Sequence, residues 1–170
     1  MGLERLEASR FGFDSSCFVC NEENGRGLRV PFFHDTDRDV IVAEFTLDEH
    51  FSGAPTLVHG GATLALMDEG MAWATIAIGG KFAVTRETSA SFDWPVRLGR
   101  AYRLEARIAE QDAKRMLTDV VVLDTKGRPC VRGRATMVIL DLDQATQVIG
   151  TEVSGTDAEF VRDPREGAGA

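Results

Sequence analysis

The feature that most restricts this chain is one long apolar stretch, Gly60 to Ile78, in which Thr63, Asp68, Glu69 and Thr75 are the only polar side chains. A helix on a protein surface carries a polar stripe over about half its circumference, so a helix with so few polar positions must be covered on most sides. Gly79-Gly80 supplies its stop. The stretch is too short, and with Asp68-Glu69 too charged, to span a membrane. Before it, Leu28 to Phe33 and Val40 to Leu47 read as an antiparallel pair turning at His34 to Asp39. After it come Phe82 to Trp94, Tyr102 to Glu110, Met116 to Asp124 and Cys130 to Asp141. In the second of these Leu104, Ala106 and Ile108 alternate with Arg103, Glu105 and Arg107, the period of a half-buried strand. Six strands around one buried helix define an α+β domain in which a single antiparallel sheet covers the helix.

A chain of 170 residues, 44% hydrophobic and 27% charged, fits one folded domain. Residues 1–16 form an N-terminal extension with a weak helical pattern, residues 17–142 form the domain, and residues 143–170 are expected to be a mobile tail rich in Gly, Thr, Asp and Glu. A net charge of -8 excludes an extended nucleic-acid surface but not a small anionic ligand, which local basic groups and helix-end amides can hold. The first residues carry charges and no apolar run, which does not read as a secretory signal, and three cysteines do not make a disulfide framework. A soluble, cytoplasmic protein is expected. Cys17 and Cys20 have metal-ligand spacing, but a structural zinc site needs four ligands and no second pair exists, so packing is expected there and no metal site.

The run His59-Gly60-Gly61-Ala62-Thr63-Leu64-Ala65-Leu66-Met67-Asp68 resembles the "HGG, six residues, then acid" signature of PaaI-like (phenylacetate-type) thioesterases in the hotdog superfamily. The resemblance extends upstream to Cys17-Phe18-Val19-Cys20 with Gly27-Leu28, and to Phe51-Ser52-Gly53-Ala54-Pro55. Downstream it takes in Val84-Thr85-Arg86 and Pro95-Val96-Arg97-Leu98-Gly99. It implies a hotdog fold, with the sheet wrapped around the central helix, and hydrolysis of an acyl-CoA, aliphatic or aromatic. It also implies that Asp68 is general base or nucleophile, that the Gly60 or Gly61 amide polarises the thioester carbonyl, and that Thr85 places the water. Coenzyme A belongs to the substrate and no other cofactor is implied. Some members hold Asn or Gln six residues before the histidine, where this chain has Gly53.

The residues carry part of this reading themselves. The first amides of a helix lie at the positive end of its dipole and suit a developing oxyanion, and glycines there leave room for a carbonyl. Asp68 follows Gly61 by seven positions, on the same face but about 10 Å along the axis, so one carbonyl cannot touch both. If both act on one thioester they come from different subunits, which predicts a homo-oligomer, a dimer or a dimer of dimers. Asp68 shares its face with Ala72, a small residue along which a ligand can lie, whereas Glu69 diverges by about 100 degrees and is a candidate for a substrate-binding role. Period-two alternation puts Thr85, Glu87, Ser89 and Ser91 on one face of their strand, making Ser89 a further candidate. Arg97, Lys114 and Arg115 are candidates for the coenzyme A phosphates, and His59 for the helix start or the chemistry. A non-catalytic acyl-CoA-binding protein on the same fold is the alternative from another class. A hotdog dehydratase is the third, since His50-Phe51-Ser52-Gly53-Ala54-Pro55 faintly resembles the dehydratase loop, though Leu64 stands where its acid would fall.

Overall fold

The computed structural model describes residues 2–152. Strand β1 (Leu3–Leu6) is followed by a short 3-10 turn, then β2 (Phe32–Asp35), β3 (Val40–Phe45), a small hairpin of β4 (Ser52–Ala54) and β5 (Leu57–Val58), and helix α1 (Gly60–Ala77). Four long strands come next, β6 (Ala83–Phe92), β7 (Tyr102–Gln111), β8 (Arg115–Asp124) and β9 (Pro129–Ile139), and then helix α2 (Leu142–Ile149). Seven strands form one antiparallel sheet in the order β1-β2-β3-β7-β8-β9-β6, and α1 lies along the face of β3, β7, β8, β9 and β6. This is the expected wrapped helix.

Alternation decides which face covers α1. In β8, Met116, Thr118, Val120 and Val122 are buried while Leu117, Asp119 and Val121 are partly open. Two glycines set how closely helix and sheet approach. A Cβ at Gly70 of α1 would lie 2.7 Å from Leu104 Cδ2, and one at Gly133 of β9 would lie 2.5 Å from Met67 Cε. Leu66, Met67, Met71 and Leu104 are all fully buried in the layer so formed. At the end of α1, Gly80 takes the left-handed φ of 63° that the helix stop requires.

Three expectations are corrected. Residues 3–6 are not helical but an edge strand paired with β2, because Leu6 is buried there and the backbone of the extension finds a ladder to join. The segment from Leu28 does not enter the sheet until Phe32: Leu28 N–H donates to the Phe18 carbonyl (2.8 Å) and Val30 N–H to the Val19 carbonyl (2.9 Å) instead. Gly27 permits this, since a Cβ there would lie 2.4 Å from the Phe18 carbonyl oxygen. The start of the expected mobile tail is helix α2, closed by a capping box of Asp141 and Gln144 with Ala145 buried beneath it. The rest of that tail, residues 153–170, lies outside the described residues. Among the described residues no helix is long and apolar enough to cross a membrane.

The two sheet edges differ. β1 is four residues long, whereas β6 is ten, and every residue from Thr85 to Pro95 is exposed. Phe92 (48% exposed), Trp94 (50%) and the helix residue Leu64 (38%) add large apolar surface near it. The close approach at Gly70 leads to a prediction: Gly70→Val overfills the space against Leu104 and Phe32 and lowers the free energy of unfolding by about 1–3 kcal/mol, read from denaturant melts.

Candidate active site

The site is built from the start of α1 outward. His59 is the N-cap, with φ -59° and ψ 131°, and its Nδ1 accepts a hydrogen bond from the Gly61 N–H at 2.9 Å. A Cβ at Gly61 would lie 3.0 Å from that Nδ1, so this glycine makes room for the cap rather than for a ligand. The Gly61 amide is therefore engaged, and His59 is placed as the group that holds the loop to the helix. Among the described residues the Gly60 N–H has no acceptor, which leaves it as the open donor of the pair. Gly60 lies beside the Phe92 ring at the far end of β6. Gly53 packs against the same histidine: a Cβ there would lie 2.9 Å from His59 Cα, so an amide side chain does not fit this loop as it stands.

Asp68 lies two turns along α1. The Thr85 hydroxyl donates to Asp68 Oδ1 at 2.7 Å, so the acid on the helix and the threonine on the next strand are brought together as the sequence suggests. Ala72, one turn further, is partly buried against the core. Ser89 is not brought in. β6 carries a bulge, with Thr85 opposite Met137 but Glu87 opposite Thr136, so Arg86 is an extra residue and the alternation reverses after it. Thr85 therefore shares the helix face with Thr88, Ala90 and Phe92, while Ser89 pairs with Arg134, which makes an ion pair with Asp119 on the outer face.

Glu69 turns away from Asp68 toward the N-terminal segment, where Cys17 Sγ lies 3.5 Å from its Oε1. Burial pushes the Glu69 carboxyl up to about 7. Cys17 is pulled down to about 5, first by a hydrogen bond from the Cys20 thiol and then by the Cys20 and Val19 amides, and the Cys20 thiol that donates is pushed up. The expected substrate-binding role of Glu69 thus gives way to a contact with two cysteines. Cys17 and Cys20 are legible as a pair in the sequence, but Glu69 is not, because only the fold brings residue 69 to residue 17.

The basic candidates separate. Arg97 lies beside the loop before α1, with Nη1 donating to Thr56 Oγ1 at 3.2 Å and its backbone N–H donating to Tyr102 Oη at 3.0 Å. Lys114 and Arg115 sit in the β7–β8 turn, both amides donating to Asp112 Oδ1 (2.7 and 2.9 Å), near the end of α1 where Gln111 reaches the Gly79 carbonyl. An 18-residue helix separates the two places by roughly 27 Å, so they do not hold the same phosphate within one protomer.

One antiparallel sheet wrapped around a single central helix is the hotdog fold. The thioesterase superfamily model matches residues 56–131, from the loop before α1 to the start of β9. Over those residues the chain is similar to the thioesterase superfamily, and its wrapped helix is the hotdog fold. It is similar to a thioesterase superfamily protein of known structure at 26% identity and a TM-score of 0.64, over 68% of this chain and 56% of that one. It therefore spans little more than half the length of that relative. The PaaI protein from the phenylacetic acid degradation operon of E. coli matches at 19% identity and TM-score 0.56, over 59% of this chain and 72% of that one. A Streptococcus mutans protein, smu.793, solved bound to acetyl CoA, matches at 18% and 0.56, over 59% and 81%. A comparison with curated proteins gave no match.

The cap at His59 has a measurable consequence. His59→Ala removes the acceptor of the Gly61 amide and lowers stability by about 0.5–2 kcal/mol in thermal or denaturant melts, and His59→Asn, another good N-cap, recovers most of it.

Proposed function

We propose that this chain is an acyl-CoA thioesterase, releasing free acid and coenzyme A, whose two working groups come from different protomers of a homodimer. One observation carries the reading: Asp68, held at 2.7 Å by the Thr85 hydroxyl, stands next to a long strand edge that nothing covers among the described residues. With Oδ1 engaged by Thr85, Oδ2 is left to take a proton from water. The water oxygen adds to the thioester carbonyl carbon, the carbonyl oxygen takes up the negative charge, and the carbon–sulfur bond then breaks, the sulfur leaving as coenzyme A thiol once protonated. The Gly60 N–H, at the positive end of α1 and without an acceptor, is the donor suited to that oxygen.

Gly60 and Asp68 are eight residues apart, about 12 Å along the helix, too far to serve one carbonyl within a protomer. A two-fold axis through the middle of β6 resolves this. It pairs two exposed β6 edges antiparallel and brings the Thr85 and Asp68 end of one protomer against the Phe92 and Gly60 end of the other. The exposed Leu64, Phe92 and Trp94 supply apolar area for that seam. A coenzyme A ester as ligand is supported by the Streptococcus mutans relative, which was solved with acetyl CoA.

Thiol release measured over short, medium, long and aromatic acyl-CoAs tests the reading. Asp68→Asn is expected to lower kcat by about 10²- to 10⁴-fold. Gly60→Pro removes one N–H at the first helical position, where proline is well tolerated and His59 at ψ 131° already suits it, and is expected to cost about 10²- to 10³-fold in kcat with the fold intact. Mixing the two inactive variants lets half the dimers carry one intact site, restoring about a quarter of wild-type activity. Recovery of nothing, from a mixture shown to exchange protomers, refutes the shared site. Tight binding of esters with no thiol released from any of them leaves a binding protein rather than an enzyme.

A further inference from the structure

We propose that Cys17, Cys20 and Glu69 form a binding site for one divalent zinc ion, which ties the N-terminal segment to α1 beside Asp68. The three donor atoms, two sulfurs and one carboxylate oxygen, all lie within 4.8 Å of one another. The donor set is that of zinc: soft thiolates with a borderline-hard oxygen, three protein ligands and one position left for water. The spacing agrees too. A tetrahedral ion with Zn–S of about 2.3 Å and Zn–O of about 2.1 Å has a sulfur–oxygen edge of about 3.6 Å, and the Cys17 Sγ to Glu69 Oε1 separation is 3.5 Å.

Two further features favour an ion over simple packing. The loop is shaped around the first sulfur: the Val19 and Cys20 amides both point at Cys17 Sγ (3.3 and 3.5 Å), and that turn is fixed by the Phe18 carbonyl pairing that Gly27 alone permits. Backbone amides directed at sulfur stabilise a thiolate, the form that binds metal. Second, Glu69 is half-buried, and among the described residues no Lys or Arg pairs with it. A half-buried carboxylate beside a thiolate calls for a positive charge, and a dication supplies it. A disulfide between the two cysteines would use both sulfurs and leave Glu69 uncompensated. Access is open, through a cleft of about 280 Å³ whose lining includes Cys17, Cys20, Asp14 and Glu23, with Glu22 there paired to Arg5.

The test uses the full chain, purified reduced and without chelator, with zinc counted by elemental analysis and cobalt(II) titrated into the metal-stripped protein. One zinc per chain is expected, and one cobalt giving sulfur-to-metal charge-transfer absorption and the visible bands of a tetrahedral centre. Cys17→Ser and Cys20→Ser should each lose about 100-fold or more in affinity, and Glu69→Gln, which keeps shape and volume, about 10- to 100-fold. Cys130→Ser and Asp68→Asn should bind as wild type does, so loss of hydrolysis and loss of metal are separable outcomes. Folded, reduced chain that shows no charge-transfer band overturns the proposal. So does Glu69→Gln binding as tightly as wild type, or a Cys17–Cys20 disulfide that persists under reducing conditions.

Discussion

Everything else in this fold hangs on the close approach of α1 to the sheet. The helix has apolar residues on nearly every side, so it has no stable place except against a surface that curls around it, and Gly70 and Gly133 let that surface come within contact of Leu104 and Met67. Once the axis is fixed, the neighbours Asp68 and Glu69 must point in different directions, one to the open edge at β6 and the other to the N-terminal segment. Two adjacent acids thus acquire different surroundings from helix geometry alone.

Much of this was legible in the chain. The apolar run read as Gly60 to Ile78 and the helix spans Gly60–Ala77, and the four strands after it fall within a few residues of their expected bounds. The family motif implied Asp68 and Thr85 as members of one site, and the fold adds the hydrogen bond between them. What escaped were features that depend on contacts distant in sequence or on one local irregularity. The bulge at Arg86 has no composition of its own, yet it reverses the alternation and removes Ser89 from the site. The β1 strand is four weakly patterned residues that become a strand only because β2 offers a free ladder. The sequence left His59 open between the helix start and the chemistry, and only the fold shows its ring accepting from the Gly61 amide.

That last point reassigns the two glycines. They look equivalent on paper, as a pair that clears space for a ligand. In the structure one accommodates the imidazole and the other carries the free donor, so the motif is a device for presenting a single N–H in a fixed direction. On the proposed thioesterase reading, preorganisation of this kind places the donor before the ester arrives and avoids reorganisation during hydrolysis.

The bare ladder of β6 bears on the chain as a physical object as well as on its site. A ten-residue strand with open backbone groups on its outer side is adhesive, and the chain lacks the edge prolines and short length that blunt such strands elsewhere. If a second copy docks there, as proposed, it adds to the free energy of the folded state by mass action, and resistance to heat or denaturant becomes a function of how concentrated the chain is. Dilution would then act on this molecule as a mild denaturant.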